Sequence, residues 1–262
     1  MTWLAFDGLV NARDLGGLPT EDGGTTAFGV LIRTDNLQAL SAADTDALVD
    51  QHGVRTVLDL RTDGELHLEG PGPLRARTEV VHKHLSLIPH GLDGRSERAA
   101  DEADVDRAIP GPDAPEGDLS HYYLGYVLDA PDNLAEALRS VGASDGGAVL
   151  AHCAIGKDRT GVVIALVLRL AGVTREAVVA DYLLTDERIE AIRDRLLSSD
   201  TYREDALDKT VDLLRPRASS IGRFLDEVDR RWGSPVALAT ALGLTDAEVA
   251  AVRFRLVDGA DR

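Results

Sequence analysis

A single cysteine, three lysines and no long apolar run mark this chain, and each shortage removes a class of protein. One thiol, Cys153, closes no intramolecular disulfide, so the fold is not a disulfide scaffold and suits a reducing compartment. The apolar stretch 162–168 ends at Arg169, well short of the roughly 20 residues that a membrane helix needs. No basic segment followed by an apolar core opens the chain, and the expectation is a cytoplasmic protein without integral membrane association. Positive charge is scarce as well: 28 Lys and Arg face 45 Asp and Glu, for a formal net charge of −17. Nucleic acid and anionic membrane surfaces are repelled at long range by such a chain, so neither is expected as a general partner. An anionic substrate must be held by local chemistry. His82, His84 and His90 are too loosely spaced to demand a metal, and no metal or other cofactor is expected. No internal repeat is evident.

What is present suffices for one large domain, 1–262, with 44% hydrophobic residues, and a monomer is the expected state. Four short apolar segments read as strands, at 30–33, 56–60, 80–85 and 148–152. "TVLDL" and "AVLAH" are nearly continuous apolar runs, the pattern of parallel strands covered on both faces. Helical patterns at 41–51, opened by Ser41, and 131–141, opened by Pro131, separate them. After Thr160 helices dominate, at 160–171, 175–184, 186–197, 203–214 and 219–231, with a last one at 246–256 behind a Thr245–Glu248 capping box. The alternation predicts an α/β fold, with a central, mostly parallel sheet flanked by helices and a helical C-terminal half. Segment 89–120, broken by "PHGLDG" and "IPGPDAPEGD", carries little pattern for regular structure.

The cysteine sits between the 148–152 strand and the 160–171 helix, in "HCAIGKDRTG". At the carboxyl end of a buried strand, where open α/β sheets bind ligands, a short loop feeding a helix turns its N–H groups inward before the positive end of the helix dipole. That is an anion site with a thiol at its floor. Helix N-termini and neighbouring cations favour the thiolate, the nucleophilic form of a cysteine. Arg159 supplies a planar fork for two phosphate oxygens, and Lys157 a second, compact charge. Gly156 allows close backbone approach, beside Ala154 and Ile155, whose N–H groups complete the cradle. Thr160 places a hydroxyl near the sulfur, and His152 orients the loop through a backbone hydrogen bond.

The arrangement H-C-x5-R-T-G resembles the signature of the cysteine-dependent protein tyrosine phosphatases, and five fixed positions in a strand-loop-helix setting make chance agreement improbable. "NARDLGG" (11–17), "GVLIRTDNLQAL" (29–40), "VRTVLDLRTDGE" (54–65) and "HCAIGKDRTG" (152–161) follow the order seen in the atypical bacterial members, which carry G-K-D-R in the loop. The resemblance implies a tyrosine-phosphatase-like fold with helices at roughly 186–215 forming a lid. It also implies hydrolysis of phosphotyrosine, with phosphoserine, phosphothreonine and phosphoinositides as further substrates of some relatives. By it Cys153 is the nucleophile, Asp158 the general acid and Arg159 the phosphate clamp. Two other readings of the loop stay open: a phosphate-binding pseudophosphatase, and a rhodanese-like sulfurtransferase, which also keeps a cysteine in an anion-binding loop.

Several assignments have a plainer rival. Asp158 is either the acid or a partner of Arg159 and helix cap, with Asp113 and Asp118 as rival acids. Asp59 ends the "TVLDL" strand on the edge that holds Cys153, where it contacts the phosphate-binding arginine or substrate, or fixes a loop. Arg13 and Asp14 match the N-terminal motif of the family, and a structural ion pair is their simplest role.

Overall fold

Successive residues of the central strands bury in opposite directions, and a sheet covered on both faces follows. In the strand Ala148–His152, Ala148 and Leu150 join one apolar cluster while Val149, Ala151 and the adjoining Cys153 join the other. Leu31 and Ile32 divide the same way. A computed structural model describes residues 1–88, 117–144, 146–208 and 210–257. Its sheet has six strands: β1 (Thr2–Trp3), β2 (Arg13–Asp14), β3 (Leu31–Thr34), β4 (Val54–Asp59), β5 (Val81–His84) and β6 (Ala148–His152). The spatial order is β1-β2-β3-β6-β4-β5, with β3, β6, β4 and β5 mutually parallel, β2 antiparallel to β3 and β1 antiparallel to β2. Central β6 thus delivers its carboxyl end between those of β3 and β4. The register sets His152 level with Thr34 on one side and Asp59 on the other.

The helices are α1 (Ala42–Asp46), α2 (Asp63–Glu69), α3 (Ser120–Asp129), α4 (Pro131–Ala143), α5 (Asp158–Leu170), α6 (Arg175–Leu183), α7 (Ile189–Ser198), α8 (Arg203–Asp208), α9 (Val211–Leu214), α10 (Ala218–Trp232), α11 (Pro235–Ala241) and α12 (Asp246–Leu256). Helices α3 to α6 and α10 to α12 bury their apolar faces on one side of the sheet, against Leu31, Leu58 and Val149. The smaller cluster on the other side holds Ile32, Val57 and Leu150 under Leu48 and Val49. Helix α5 is apolar on nearly every face and runs through the larger core, as a helix buried all round must. A third cluster, Ile189, Ile192, Leu196, Ala206 and Leu214, binds α7, α8 and α9 to one another and receives Ile155 and Val10 from the sheet edge. Among the described residues no helix is long and apolar enough to cross a membrane.

The α/β architecture expected from the sequence is present, with corrections to its elements. The helix expected at 41–51 keeps α geometry only to Asp46, and Ala47–Gln51 widens into a π turn closed by His52 N–H to Ala47 O at 2.9 Å. The pattern expected at 203–214 splits into α8 and α9. The helix expected at 186–197 starts as a 3-10 turn, Leu184–Arg188, before α7. Strands β1 and β2 are two residues each, too short to show any alternation. The sequence pattern predicts no helix where α2, α3 and α11 lie; α3 begins at the edge of segment 89–120, most of which falls outside the described residues together with Asp113 and His90.

Candidate active site

Backbone geometry at the end of β6 builds a cradle around Cys153. Three carbonyls of the loop are pulled outward: Ala154 O accepts from Asn36 N–H at 3.1 Å, Ile155 O from Asn11 Nδ2 at 2.9 Å and Gly156 O from Arg33 Nη2 at 2.6 Å. With three carbonyls held by outside donors, the N–H groups from Ile155 to Arg159 meet no protein acceptor among the described residues. Five unpaired donors in the loop and first turn of α5 suit an anion, as such nests do. Gly156 makes the turn possible. Its φ is +70°, and a Cβ there would sit 2.3 Å from Thr34 O. Cys153 itself has no exposed surface.

Arg159 leaves the first turn of α5 and is gripped by one carboxylate. Its Nη2 donates to Glu65 Oε1 at 2.9 Å and its Nη1 to Glu65 Oε2, a bidentate pair that fixes the plane of the guanidinium. Burial opposes the charge of Arg159, but Glu65 outweighs it and raises the pKa well above the ordinary arginine value. Burial likewise opposes ionisation of Glu65, yet Arg159 draws its pKa down to about 2, so the pair stays charged over the working range. Glu65 also closes the capping box of α2 by accepting from Thr62 N–H at 2.6 Å, and Tyr202 Oη donates to its Oε1 at 3.2 Å. Sequence reasoning missed Glu65. The T-x-x-E of "RTDGE" is the signal that finds it.

Asp158 is the first residue of α5, with a side chain 20% exposed. Its Oδ1 accepts from Tyr123 Oη at 2.5 Å and lies 3.6 Å from Lys157 Nζ. Tyr123, on α3, is fully buried and 2.6 Å from the hydroxyl of Tyr182 on α6. Lys157 is buried too, and its ammonium donates to Leu214 O on α9 at 2.8 Å. Thr160 Oγ1 is buried with no partner among the described residues. Asp118 bonds elsewhere: its Oδ1 accepts from Ser120 N–H at 2.9 Å, two residues on, where α3 begins.

The remaining predicted residues brace the cradle from behind. Asp59 contacts Arg61 and not Arg159, with Arg61 Nε to Oδ1 at 2.8 Å and Nη2 to Oδ2 at 2.6 Å. His152 Nε2 lies 3.6 Å from Asp59 and Nδ1 3.4 Å from Cys153 O. Burial lowers the pKa of His152 to about 4 against the pull of Asp59, so its imidazole is neutral at neutral pH. Burial opposes ionisation of Asp59 as well, but His152 and Arg61 hold it below the usual carboxylate range. Arg13 does form an ion pair, with Asp181 at 2.8 Å instead of with Asp14, which accepts from Gly16 and Gly29 N–H groups. Asp181 bridges Arg13 and Arg33, so a buried cluster stands directly behind Gly156 O. A cleft of about 400 Å³ opens beside the cradle, lined by Ala154, Ile155, Glu69, Arg195 and Tyr202 among others.

A profile of the tyrosine phosphatase family matches residues 4–258. The chain is 30% identical over 233 residues to a Cupriavidus necator protein provisionally named a tyrosine-protein phosphatase, an alignment covering 88% of this chain and 80% of that one. It is 25% identical over 234 residues to a tyrosine-protein phosphatase of Nostoc commune, covering 86% and 73%. To the triple specificity protein phosphatase PtpB of Mycobacterium tuberculosis it is 30% identical over 183 residues, covering 64% and 65%.

Proposed function

Because this chain belongs to the tyrosine phosphatase family, whose members are phosphoric monoester hydrolases, we propose that it works through a cysteinyl-phosphate intermediate on Cys153. The observation that carries the reading is the loop after Cys153: five N–H groups with no protein acceptor and a guanidinium fixed in plane by Glu65, in the stretch that follows the thiol. Sγ attacks phosphorus as a thiolate, and the P–O bond to the leaving group breaks. Asp158 gives its proton to the departing oxygen. Water then attacks phosphorus, Asp158 takes the proton back, and the P–S bond breaks to release phosphate. Arg159 and the amides neutralise the equatorial oxygens in both steps, the main electrostatic contribution. His152, Asp59 and Arg61 hold the strand end that presents the thiol. Lys157 reaches a phosphate only by releasing Leu214 O.

Phosphotyrosine is the substrate this reading starts from. The polar cleft beside the loop, and a relative named for triple specificity, extend it to phosphoserine, phosphothreonine and phosphoinositides. Helices α7, α8 and α9 pack against Ile155 of the loop and act as the lid expected at 186–215, substrate entering as they move aside. The lone thiol fits work in the cytoplasm, as a monomer.

The test is hydrolysis of p-nitrophenyl phosphate in EDTA with and without vanadate, followed by phosphotyrosine peptide, phosphothreonine peptide and phosphoinositide. Activity is expected to survive EDTA, to stop with vanadate and to vanish in Cys153→Ser, which should still bind phosphate. Loss of activity in EDTA would overturn the reading. Sulfur transfer from thiosulfate to cyanide at a comparable rate would assign a sulfurtransferase, and phosphate binding without turnover a pseudophosphatase.

A further inference from the structure

The two oxygens of Asp158 are not equivalent. Oδ1 accepts the Tyr123 hydroxyl at 2.5 Å and faces Lys157 Nζ at 3.6 Å, whereas Oδ2 has no protein partner among the described residues. A carboxyl group pinned at one oxygen has a single orientation for the other.

The pin is itself held. Tyr123 donates its only proton to Asp158, so in the 2.6 Å contact with Tyr182 it must accept, and Tyr182 must donate. The Tyr182 hydroxyl in turn meets the main chain of Arg217, at the start of α10. All donors therefore point toward Asp158, and each bond polarises the next. Four helices converge here: α3 brings Tyr123, α6 Tyr182, α5 Asp158, and α10 Phe224, whose ring packs edge-on to Tyr123 at 6.2 Å. Gly161 permits the approach. A Cβ there would sit 3.0 Å from the ring of Tyr182. Two buried tyrosine hydroxyls cost free energy unless they are paired, and here both are spent on one carboxylate.

We propose that Tyr123, set by Tyr182, is the positioning residue of Asp158: it binds Oδ1 and leaves Oδ2 to carry the proton to the leaving oxygen. In the first step the Sγ–P bond forms and the pair of the breaking P–O bond goes to the leaving oxygen, which takes the proton from Oδ2. The carboxylate left behind keeps the Tyr123 hydrogen bond on Oδ1. In the second step Oδ2 takes a proton from the attacking water. The phenolic proton of Tyr123 never leaves it; burial and the neighbouring Asp158 charge raise its pKa well above that of an ordinary tyrosine.

The inference rests on Asp158 as the acid, and one set of variants separates the two. Tyr123→Phe removes the hydroxyl and keeps the ring; Tyr182→Phe removes the second link; Asp158→Asn removes the acid. Each is measured as kcat/KM, which reports attack on the substrate, for p-nitrophenyl phosphate and for phosphotyrosine, whose leaving group needs the proton more. For phosphotyrosine, Tyr123→Phe should lose about tenfold or more, the worth of one hydrogen bond to a charged group. For p-nitrophenyl phosphate the loss should stay within about threefold, as expected where acid assistance matters less. Inhibition by phosphate should be unchanged, and Tyr182→Phe should show a smaller effect of the same kind. In the Asp158→Asn background, adding Tyr123→Phe should cost nothing further, since the partner it positions is gone. Equal losses on both substrates, no loss, or full additivity with Asp158→Asn would overturn the proposal for Tyr123. If Asp158→Asn itself discriminates between the substrates no better than wild type, the acid assignment fails first.

Discussion

His152 is buried, uncharged and two atoms' breadth from an ionised aspartate, and that combination has a pH signature. Its pKa in the fold is about 4, below the ordinary histidine value, because burial penalises the imidazolium more than Asp59 rewards it. Below about pH 6.5 the unfolded chain takes up a proton that the folded one refuses. The stabilisation is therefore complete above the unfolded value and is lost as pH falls toward about 4. We predict that His152→Asn, which retains a donor near Cys153 O, is less stable than wild type at pH 7.5, and that the gap in thermal midpoint narrows steadily between pH 6.5 and 4.5. A gap that stays constant across that window would show that the imidazole ionises freely in the fold. The loop residues were legible one by one because glycine, arginine and cysteine have distinctive chemistry at fixed spacing. Tyr123 was not, since it stands 30 positions before the cysteine on a helix with no local mark, and only the packing of α3 on α5 and α6 brings it to Asp158.

Helix α2 shows how a short element takes on more than its own stability. Its capping box satisfies two orphan N–H groups at the N-terminus, as such boxes do. The same Glu65 carboxylate then faces Arg159 and Tyr202, so the helix start, the phosphate clamp and the loop between α7 and α8 meet at two oxygens. Glu65→Gln is predicted to lower kcat/KM by about tenfold by releasing the charged fork, a loss in line with hydrogen bonds between charged groups. Thr62→Ala should behave differently: a stability loss of about 1 kcal/mol, the usual worth of an N-cap, with much smaller kinetic change. Denaturant unfolding and steady-state rates on both variants check the contrast, and a Thr62→Ala defect as large in rate as that of Glu65→Gln would show that the box, not the carboxylate, orients the arginine. Elements were readable where burial imposes a period. β4 and β6 lie inside the sheet and announce themselves as apolar runs, while α2 buries no residue fully, has Asp63 and Gly64 in its first turn, and offers only its cap. The π turn after α1 carries Leu48 and Val49 into the smaller core, and no local pattern in the sequence marks it.

The chain as a whole carries a net charge of −17, while its reaction concerns anions. Nor do the arginines around the cradle project a strong positive field, since Arg13 and Arg33 share Asp181, Arg61 is matched by Asp59 and Arg159 by Glu65. At short range the unpaired N–H groups of the loop and the guanidinium still favour phosphate, because hydrogen bonds act at contact. At long range the substrate approaches a negative body. Screening with salt removes the second effect and leaves the first, since the Debye length falls from about 30 Å at 0.01 M to about 10 Å at 0.1 M. Raising sodium chloride from about 10 to 100 mM is therefore predicted to increase kcat/KM by about two- to fivefold for a phosphoinositide, and less for p-nitrophenyl phosphate, which carries fewer charges. The rate at saturation should hold steady, because a bound substrate is screened little by the bulk. Chloride is the right anion for the test, as sulfate or phosphate would compete for the cradle itself. If kcat/KM falls with salt instead, the local positive potential at the mouth of the cleft dominates the approach, and Arg195, on its lining, is the first residue to replace.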